Sequence, residues 1–547
     1  MDITALSFPE YLPGILNELS SCYFVALDLE LSGIFLPPTG QGSKTQSLRE
    51  RYAETKTAAE KYQVLQVGLT ICHEDVQNGT YTLKPYNINL TPNTDKGLGI
   101  TRDWTLMSQC VEFLLSHQFS LDQVCKFGVP YLSRDEEADA IAKAVDSYKP
   151  NAPPSKPLGI KETDHESLEF IQGVRKSIDK WLAQGKECVD FLNIPPPIRF
   201  QVGDPLPTAL NNMQKWLIHQ VVRAEYPTLI SRSKPRFVQI EQGDPEWQRR
   251  IQEEKLKQKW VLIQKNIGFR WVAEALVGGD LTGLESGMFT PLMPQLINPT
   301  VTMQEFSDGV KERLKANPPV LVGHNMFTDL VYFCRCFLGP LPDTVEEFQV
   351  MVRRFFPVVI DTKYLATHDC GSINPASSLE NLTQDLSNLP SPHIAIHPRH
   401  CRYSLRQVCH EAGYDSMLTA TAFIKLAAKL KRESKGTGKT SVLIPTGPKS
   451  MTSKATRYPQ GRGDAQKKAQ FSNFFDALSG LPGEVPSVGF GGFSAETAVQ
   501  APSGTIPSPR GEFWDVYRNR LRMFGTNERV LTLGEERDEA RCQGGQE

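Results

Sequence analysis

Cys22-Tyr-Phe-Val-Ala-Leu27, followed at once by Asp28-Leu29-Glu30, decides how this chain is read. The first part is a compact apolar run of the kind a buried strand needs. If the strand continues through the acids, residues 28 and 30 project on one face and Leu29 on the other. Two carboxylates on one face at the end of a buried strand repel each other. A hard, oxygen-seeking cation such as Mg²⁺ relieves that repulsion. Taken alone, Asp-x-Glu also fits an ordinary solvated loop entry, so the reading needs acids from elsewhere in the chain.

Working outward, Tyr11 to Leu19 has helical apolar spacing. Val64 to Cys72 and Tyr81 to Leu90 read as strands, separated by the turn-prone Gln77-Asn78-Gly79. Thr105 to His117 has helical spacing, and residues 136–160, with Lys-Pro-Asn-Ala-Pro-Pro-Ser-Lys-Pro, read as a linker. A self-contained segment follows over 166–242: a helix, Pro195-Pro-Pro197, and a second helix near Leu210 to Tyr226. Trp247 to Trp260 is dense in charge and predicts an exposed helix. Val277 to Thr300, punctuated by Gly and Pro, predicts a surface insertion. Pro318 to Gly323 and Phe355 to Ile360 read as strands, Phe327 to Phe337 and Ser416 to Lys431 as helices.

From Glu433 to about Arg510 periodicity vanishes, and between Lys431 and Lys468 ten Lys/Arg face two acids. That composition predicts a basic, disordered tether. Phe513-Trp-Asp-Val-Tyr517 and Val530-Leu-Thr-Leu533 predict a short hairpin docked on the folded body. The expected divisions are an α/β domain in two halves (1–160 and 243–432), an insertion at 166–242, a tether at 433–510 and a terminal segment at 511–547.

The balance of the whole chain excludes several classes. Its 547 residues correspond to about three or four domains. Lys+Arg 60 against Asp+Glu 62 gives a charge of −2, so no global field draws in nucleic acid or anionic lipid. No run approaches the ~18 apolar residues of a membrane span, and Met1-Asp2-Ile3 lacks the basic opening of a secretory signal. Eleven scattered Cys with no Cys-x-x-Cys pair predict reduced thiols rather than a zinc site.

Two further segments supply the missing acids. In Val322-Gly-His324-Asn-Met-Phe-Thr-Asp329 a strand runs into a tight turn, and Asp329 enters the first turn of an apolar helix. An acid there also serves as a plain dipole partner. In His410-Glu-Ala-Gly-Tyr-Asp415, Asp415 is placed to cap the helix that follows. His410 lies beside a metal shell rather than in it. Asp28, Glu30, Asp329 and Asp415 thus arrive from three distant segments with one His, the set needed for two-metal phosphodiester hydrolysis. A neutral His with a pKa near 6.5 suits the role of general base. No Gly-rich phosphate loop and no nucleophilic Ser or Cys motif competes.

The order Asp-x-Glu, Asp, His-x4-Asp resembles the DEDD exonuclease superfamily in its histidine subtype; the tyrosine subtype would place Tyr where Glu411 stands. More narrowly, the chain is similar to the poly(A)-specific ribonuclease (PARN) family. The matching stretches are Phe24 to Gly33, Phe127-Gly-Val-Pro-Tyr-Leu132, Val322 to Met326 with Asp329, Gly339-Pro-Leu-Pro342, Ile360-Asp-Thr-Lys363 and His410 to Asp415. The likeness covers roughly residues 1–135 and 245–432.

The resemblance implies an RNase H-like mixed β-sheet flanked by helices, two Mg²⁺ ions (with Mn²⁺ as a substitute), 3′→5′ removal of adenosines and release of 5′-AMP. It further implies a homodimer in the nucleus and/or cytoplasm, and a single-strand-binding insertion of the Arg-x3-His type. Here that signature reads Lys215-Trp-Leu-Ile-His219, with charge retained and the planar guanidinium lost. His324 and Lys363 would touch the terminal nucleotide and a phosphate. Leu31 stands where the family has an aromatic that stacks on a base, a contact worth roughly 1–3 kcal/mol.

The expected activity is therefore a metal-dependent 3′→5′ exoribonuclease on single-stranded poly(A) 3′ ends. Trimming of small or structured RNAs by the same chemistry is an alternative, as is an RNA-binding adaptor on an inactive nuclease scaffold.

Overall fold

The computed structural model describes residues 1–35, 46–148, 164–184, 190–197, 208–295, 301–367, 377–404, 407–436 and 506–534. The expected linker from 149 onward and the basic stretch 437–505 lie outside the described residues. In chain order the strands are β1 Asp2–Ile3, β2 Phe24–Leu31, β3 Val64–Asp75, β4 Thr80–Thr91, β5 Val129–Pro130, β6 Phe191–Ile194, β7 Leu229–Ser233, β8 Val238–Gln242, β9 Leu321–Gly323, β10 Val359–Asp361, β11 His393–Ile396, β12 Arg520–Arg522 and β13 Val530–Thr532. The chain divides into two units, one of Met1–Thr94, Thr101–Glu137 and Asn266–Glu547, the other of Asp95–Ile100 and Ala138–Lys265.

The first unit is built on a mixed sheet of order β1-β4-β3-β2-β9-β10, with β5 and β11 also pairing with β4. The strands β2, β3 and β4 run antiparallel, while β2, β9 and β10 run parallel. Alternation along β2 separates two apolar layers. Val25, Leu27, Leu29 and Leu31 enter the layer shared with the helix Phe8–Leu19, and Phe24 and Ala26 enter the other. In that second layer the helix Ala412–Gly436 lies on the sheet, with the Phe423 ring edge-on to Phe24 at 4.8 Å. The same period of two turns Asp28 and Glu30 away from the Leu29 layer.

Several expectations are corrected here. Of the surface insertion expected over Val277 to Thr300, residues 277–295 are described and are not one: Leu281, Leu284 and Phe289 are buried in the first core layer. Residues 345–355 form a helix, stopped from beginning earlier by a Thr344/Glu347 capping box, so the strand expected at Phe355–Ile360 shrinks to β10. The linker expected from 136 opens as a helix, Arg134–Tyr148. The last long helix begins at Ala412, which puts Asp415 in its first turn rather than at its N-cap.

The terminal hairpin forms between β12 and β13, seven residues later than the aromatic cluster expected to begin it. That cluster serves as an anchor instead. Trp514 is fully buried, 5.2 Å from the Phe423 ring, and Asn519 exchanges two hydrogen bonds with Val359 at the edge of β10. Farther on, the Gln46 backbone N–H donates to the Gly525 carbonyl at 3.0 Å.

The second unit has its own core. The helices His165–Ala183 and Asn212–Glu225 contribute Ile171, Val174, Ile178, Leu217 and Val221, which pack with Val238 and Ile240 of an antiparallel sheet ordered β6-β8-β7.

Glycine 68 on β3 sets how closely the long helix can sit. It pairs with Asp28 in register, and a Cβ added there would overlap the Ala412 carbonyl. Gly68→Ala is expected to destabilise the protein by about 2 kcal/mol or more, since neither neighbour is a flexible side-chain end. Gly14→Ala, in a helix with open space around it, is expected to be neutral or slightly stabilising. Urea unfolding of the two variants checks this; equal midpoints would contradict the close approach at residue 68.

Candidate active site

Each acid is carried by a different element, and each element is positioned by local chemistry. Asp28 and Glu30 come from the C-terminal half of β2, half-buried between fully buried neighbours. The parallel pairing of Val25 with Leu321 and Ala26 with Val322 brings in the second segment. There, Asn325 adopts a left-handed φ of 54°, the turn is closed by its N–H donating to Asp361 Oδ1 at 2.9 Å, and Asp329 enters the first helical turn. Asp329 lies close enough to β2 for its charge to act on both Asp28 and Glu30.

The third segment docks on β3 and β4 through polar side chains that replace water. Gln66 Oε1 accepts the Ala412 N–H at 2.9 Å, and Asn87 Oδ1 accepts the Gly413 N–H at 3.1 Å. Ser416 and Thr70 share a hydrogen bond of 2.8 Å. These partners satisfy amides that the start of a helix leaves open. His410 takes a left-handed φ of 63°, and its N–H donates to Asp415 Oδ2 at 3.1 Å. Glu411 is tied to the Tyr403 hydroxyl at 2.7 Å and to Arg402, an anchoring role.

One carboxylate oxygen each from Asp28, Glu30 and Asp415 lies within 4.8 Å of the other two. Burial, followed by the charges of Asp415, Asp329 and Glu30, holds the Asp28 carboxyl well above the ordinary carboxylate range. Glu30 is raised in the same way, by burial and then by Asp415, Asp329 and Glu411. Asp329 is pushed up to about 7 and Asp415 to about 8, burial being the main cause in both. Among the described residues no Lys or Arg pairs with any of the four. Like charges this close need a counter-charge, and an all-oxygen donor set fits a hard divalent cation.

The His410 ring stands edge-on to Phe113 at 4.8 Å and to His117 at 4.3 Å. Burial, then the nearby His117, lowers its pKa to about 4. His117 and Phe113, on the helix Ser108–Ser116 and its cap, carry no motif of their own and are invisible in the sequence. Asp361 is likewise new: fully buried, it accepts backbone N–H groups from Asn325, Lys363 and Arg522.

The expected substrate contacts fare differently. Leu31 is buried on the Leu29 side of β2, where the strand's period sends it, so it faces the core and not the acids. Lys363 is buried, not exposed; its Nζ donates to the Ser377 carbonyl and stands 5.4 Å from the Phe524 ring centre. His324 is half-buried, with Nδ1 2.9 Å from Thr362 Oγ1, and that hydroxyl donates its own proton to the Gly323 carbonyl. The imidazole must therefore donate through Nδ1, leaving Nε2 as an acceptor. In the second unit, His219 spends both ring nitrogens on Ser231 and Ser233 at 2.7 Å each, which leaves neither for a phosphate. Lys215 Nζ donates to the Lys234 and Pro235 carbonyls at 2.9 and 3.0 Å.

Beyond this clustering of acids from β2 and the His-x4-Asp turn, residues 3–423 match the CAF1 family ribonuclease. The chain belongs to that family. Among its relatives is the pre-piRNA 3′-exonuclease trimmer of Bombyx mori, 24% identical over 453 residues, covering 80% of this chain and 73% of the trimmer. The poly(A)-specific ribonuclease PARN of Xenopus laevis is 24% identical over 453 residues, 78% of this chain and 62% of that enzyme. An uncharacterised protein of Schizosaccharomyces pombe is 26% identical and is covered over 94% of its length. The Mg²⁺- and Mn²⁺-bound form of S. pombe Pop2p superposes with a TM-score of 0.34 at 12% identity, over 81% of this chain and 95% of that one.

Because Asp329 and Asp415 titrate near 7 and 8 when folded but near 3.8 in an ordinary aspartate, the native state keeps protons that the unfolded chain loses. Stability in EDTA therefore falls as pH rises from about 4 to about 8. Asp415→Asn removes one of these charges. Its expected Tm in EDTA exceeds the parent's by about 2–4 °C at pH 8, and the difference shrinks to nothing as the pH falls to about 4. A variant no more stable than its parent at pH 8 would mean that the acids do not strain the site.

Proposed function

We propose that the chain is a divalent-metal-dependent 3′→5′ exoribonuclease that removes nucleotides, adenylate foremost, from RNA 3′ ends. One observation carries this: Asp28, Glu30 and Asp415 each bring a carboxylate oxygen within 4.8 Å of the other two, the charge of Asp329 acts on Asp28 and Glu30, and none of the four has a cationic partner among the described residues. An adaptor has no use for such a costly arrangement. Asp28, Glu30, Asp329 and Asp415 would hold two Mg²⁺ ions. When bound, these supply a clamp on the scissile phosphate and charge stabilisation for the attacking and leaving oxygens.

The chain's own residues do the rest. With its pKa near 4, His410 is uncharged across the neutral range and free to accept a proton from the attacking water. The contacts with Phe113 and His117 limit its swing. His324 offers Nε2 as an acceptor, which suits a ribose hydroxyl rather than a phosphate oxygen. Preference for poly(A) is supported by the resemblance to the PARN enzymes.

A second reading, 3′ trimming of small RNAs by the same chemistry, is favoured by the likeness to the Bombyx trimmer over 73% of its length. It is favoured too by Leu31 lying in the core, where it cannot stack on an adenine.

With Mg²⁺ present, Asp28→Ala and Asp329→Asn are each expected to lower kcat on a labelled oligo(A) by at least about 10³-fold while the circular dichroism spectrum is retained. His410→Ala is expected to lose about 10²- to 10⁴-fold in kcat while still binding Mg²⁺ by calorimetry. Full turnover by either Asp variant would refute the assignment, and loss of Mg²⁺ binding in His410→Ala would place that residue in the metal shell. Mass analysis of digests of A-tailed and mixed-sequence RNAs separates the two substrate readings.

A further inference from the structure

Arg522 belongs to β12, far from the acids in sequence, yet the fold fastens its backbone, through Asp361, to the turn that leads to Asp329. Its backbone N–H donates to Asp361 Oδ2 at 2.9 Å, and Asp361 Oδ1 accepts the Asn325 N–H that closes the turn leading to Asp329. The carboxyl ends of the parallel strands β2, β9 and β10 therefore share this edge with the C-terminal hairpin.

The side chains there are cationic and share one aromatic ring. The Arg522 guanidinium carbon lies 5.2 Å from the centre of the half-buried Phe524 ring, and Lys363 Nζ lies 5.4 Å from the same centre. Among the described residues Arg522 makes no ion pair, and its Nε is buried without a hydrogen-bond partner. Its nearest carboxylate, Asp361, is already engaged by three backbone amides. Arg529 and Lys363 add positive charge: Arg529 lowers the pKa of Arg522, after burial, and Lys363 lowers that of His324, after burial. A half-buried guanidinium with no counter-ion, set among other cations, is costly unless an anion completes it.

We propose that Arg522, on the C-terminal hairpin, binds a backbone phosphate of the RNA strand, with the Phe524 ring holding its guanidinium beside Lys363. This makes the hairpin part of the substrate site and rests on the RNA-degrading function proposed above. The ligand is a phosphodiester, and its two sources, the strand or a free mononucleotide, are separated by the test.

Steady-state cleavage of a 5′-labelled oligo(A) by the full chain, over a series of KCl concentrations, decides the matter. Arg522→Gln is expected to raise KM roughly 10- to 100-fold, the loss of a charged hydrogen bond, with kcat within about twofold and the Tm of the free protein equal to the parent's or higher. The dependence of log KM on log[KCl] is expected to flatten by about 0.7, one phosphate contact on a single strand. Arg522→Lys should keep the parent's salt slope. Identical KM and salt slope in Arg522→Gln and parent would overturn the proposal while leaving the ribonuclease reading intact. Loss of inhibition by added 5′-AMP with no change in slope would overturn the strand assignment. A parent protein that shortens no RNA would overturn both readings together.

Discussion

The repulsion between buried carboxylates is the constraint around which the rest of this structure is arranged. Four acids held away from water would separate or stay protonated unless the scaffold fixed them. Here each is tied to an element that cannot retreat cheaply. Asp28 and Glu30 are built into the central strand of a six-strand path, Asp329 is fixed in the first turn of the helix that follows β9, and Asp415 is tethered by the His410 amide. Burial and their mutual charges raise their proton affinities, and a divalent cation would relieve that repulsion.

The docking of the last long helix is where backbone and side-chain chemistry meet most closely. Gly68 lets the Ala412 carbonyl approach β3, and Gln66 and Asn87 receive the amides of Ala412 and Gly413. All of these serve one end, placing Asp415 opposite Asp28, the register partner of Gly68. His410 inherits its position from the same turn, and its left-handed φ brings the imidazole against Phe113 and His117. The proposed general base, His410, and the proposed metal ligand, Asp415, thus share one local geometry.

The C-terminal segment is integral to the first unit. Trp514 fills the second core layer, Asn519 continues the edge of β10, and Asp361 bonds at once to the Asn325 turn and to Arg522. A buried carboxylate satisfied by backbone amides is a rigid joint, so the geometry of the acid cluster and the seating of the hairpin are mechanically linked.

Much of the site was legible without coordinates, because its chemistry demands particular residues at short spacings. Asp28-x-Glu30 shows itself through strand alternation, and His410-x4-Asp415 through a loop running into a helix. Strands over 64–72 and 81–90 were equally plain from their apolar runs. What the sequence left open depends on contacts between residues distant in the chain. Leu31, His219 and Lys363 each carry suitable chemistry, but which face of a strand is buried and which polar atoms are already spent are settled only on packing. His117 and Arg522 have no motif at all, and Asp361 sits in a matching stretch that says nothing of its task; their roles come from neighbours that tertiary structure delivers. Local periodicity and ligand chemistry are written into short stretches of sequence, whereas desolvation, register and hydrogen-bond satisfaction are properties of the assembled interior.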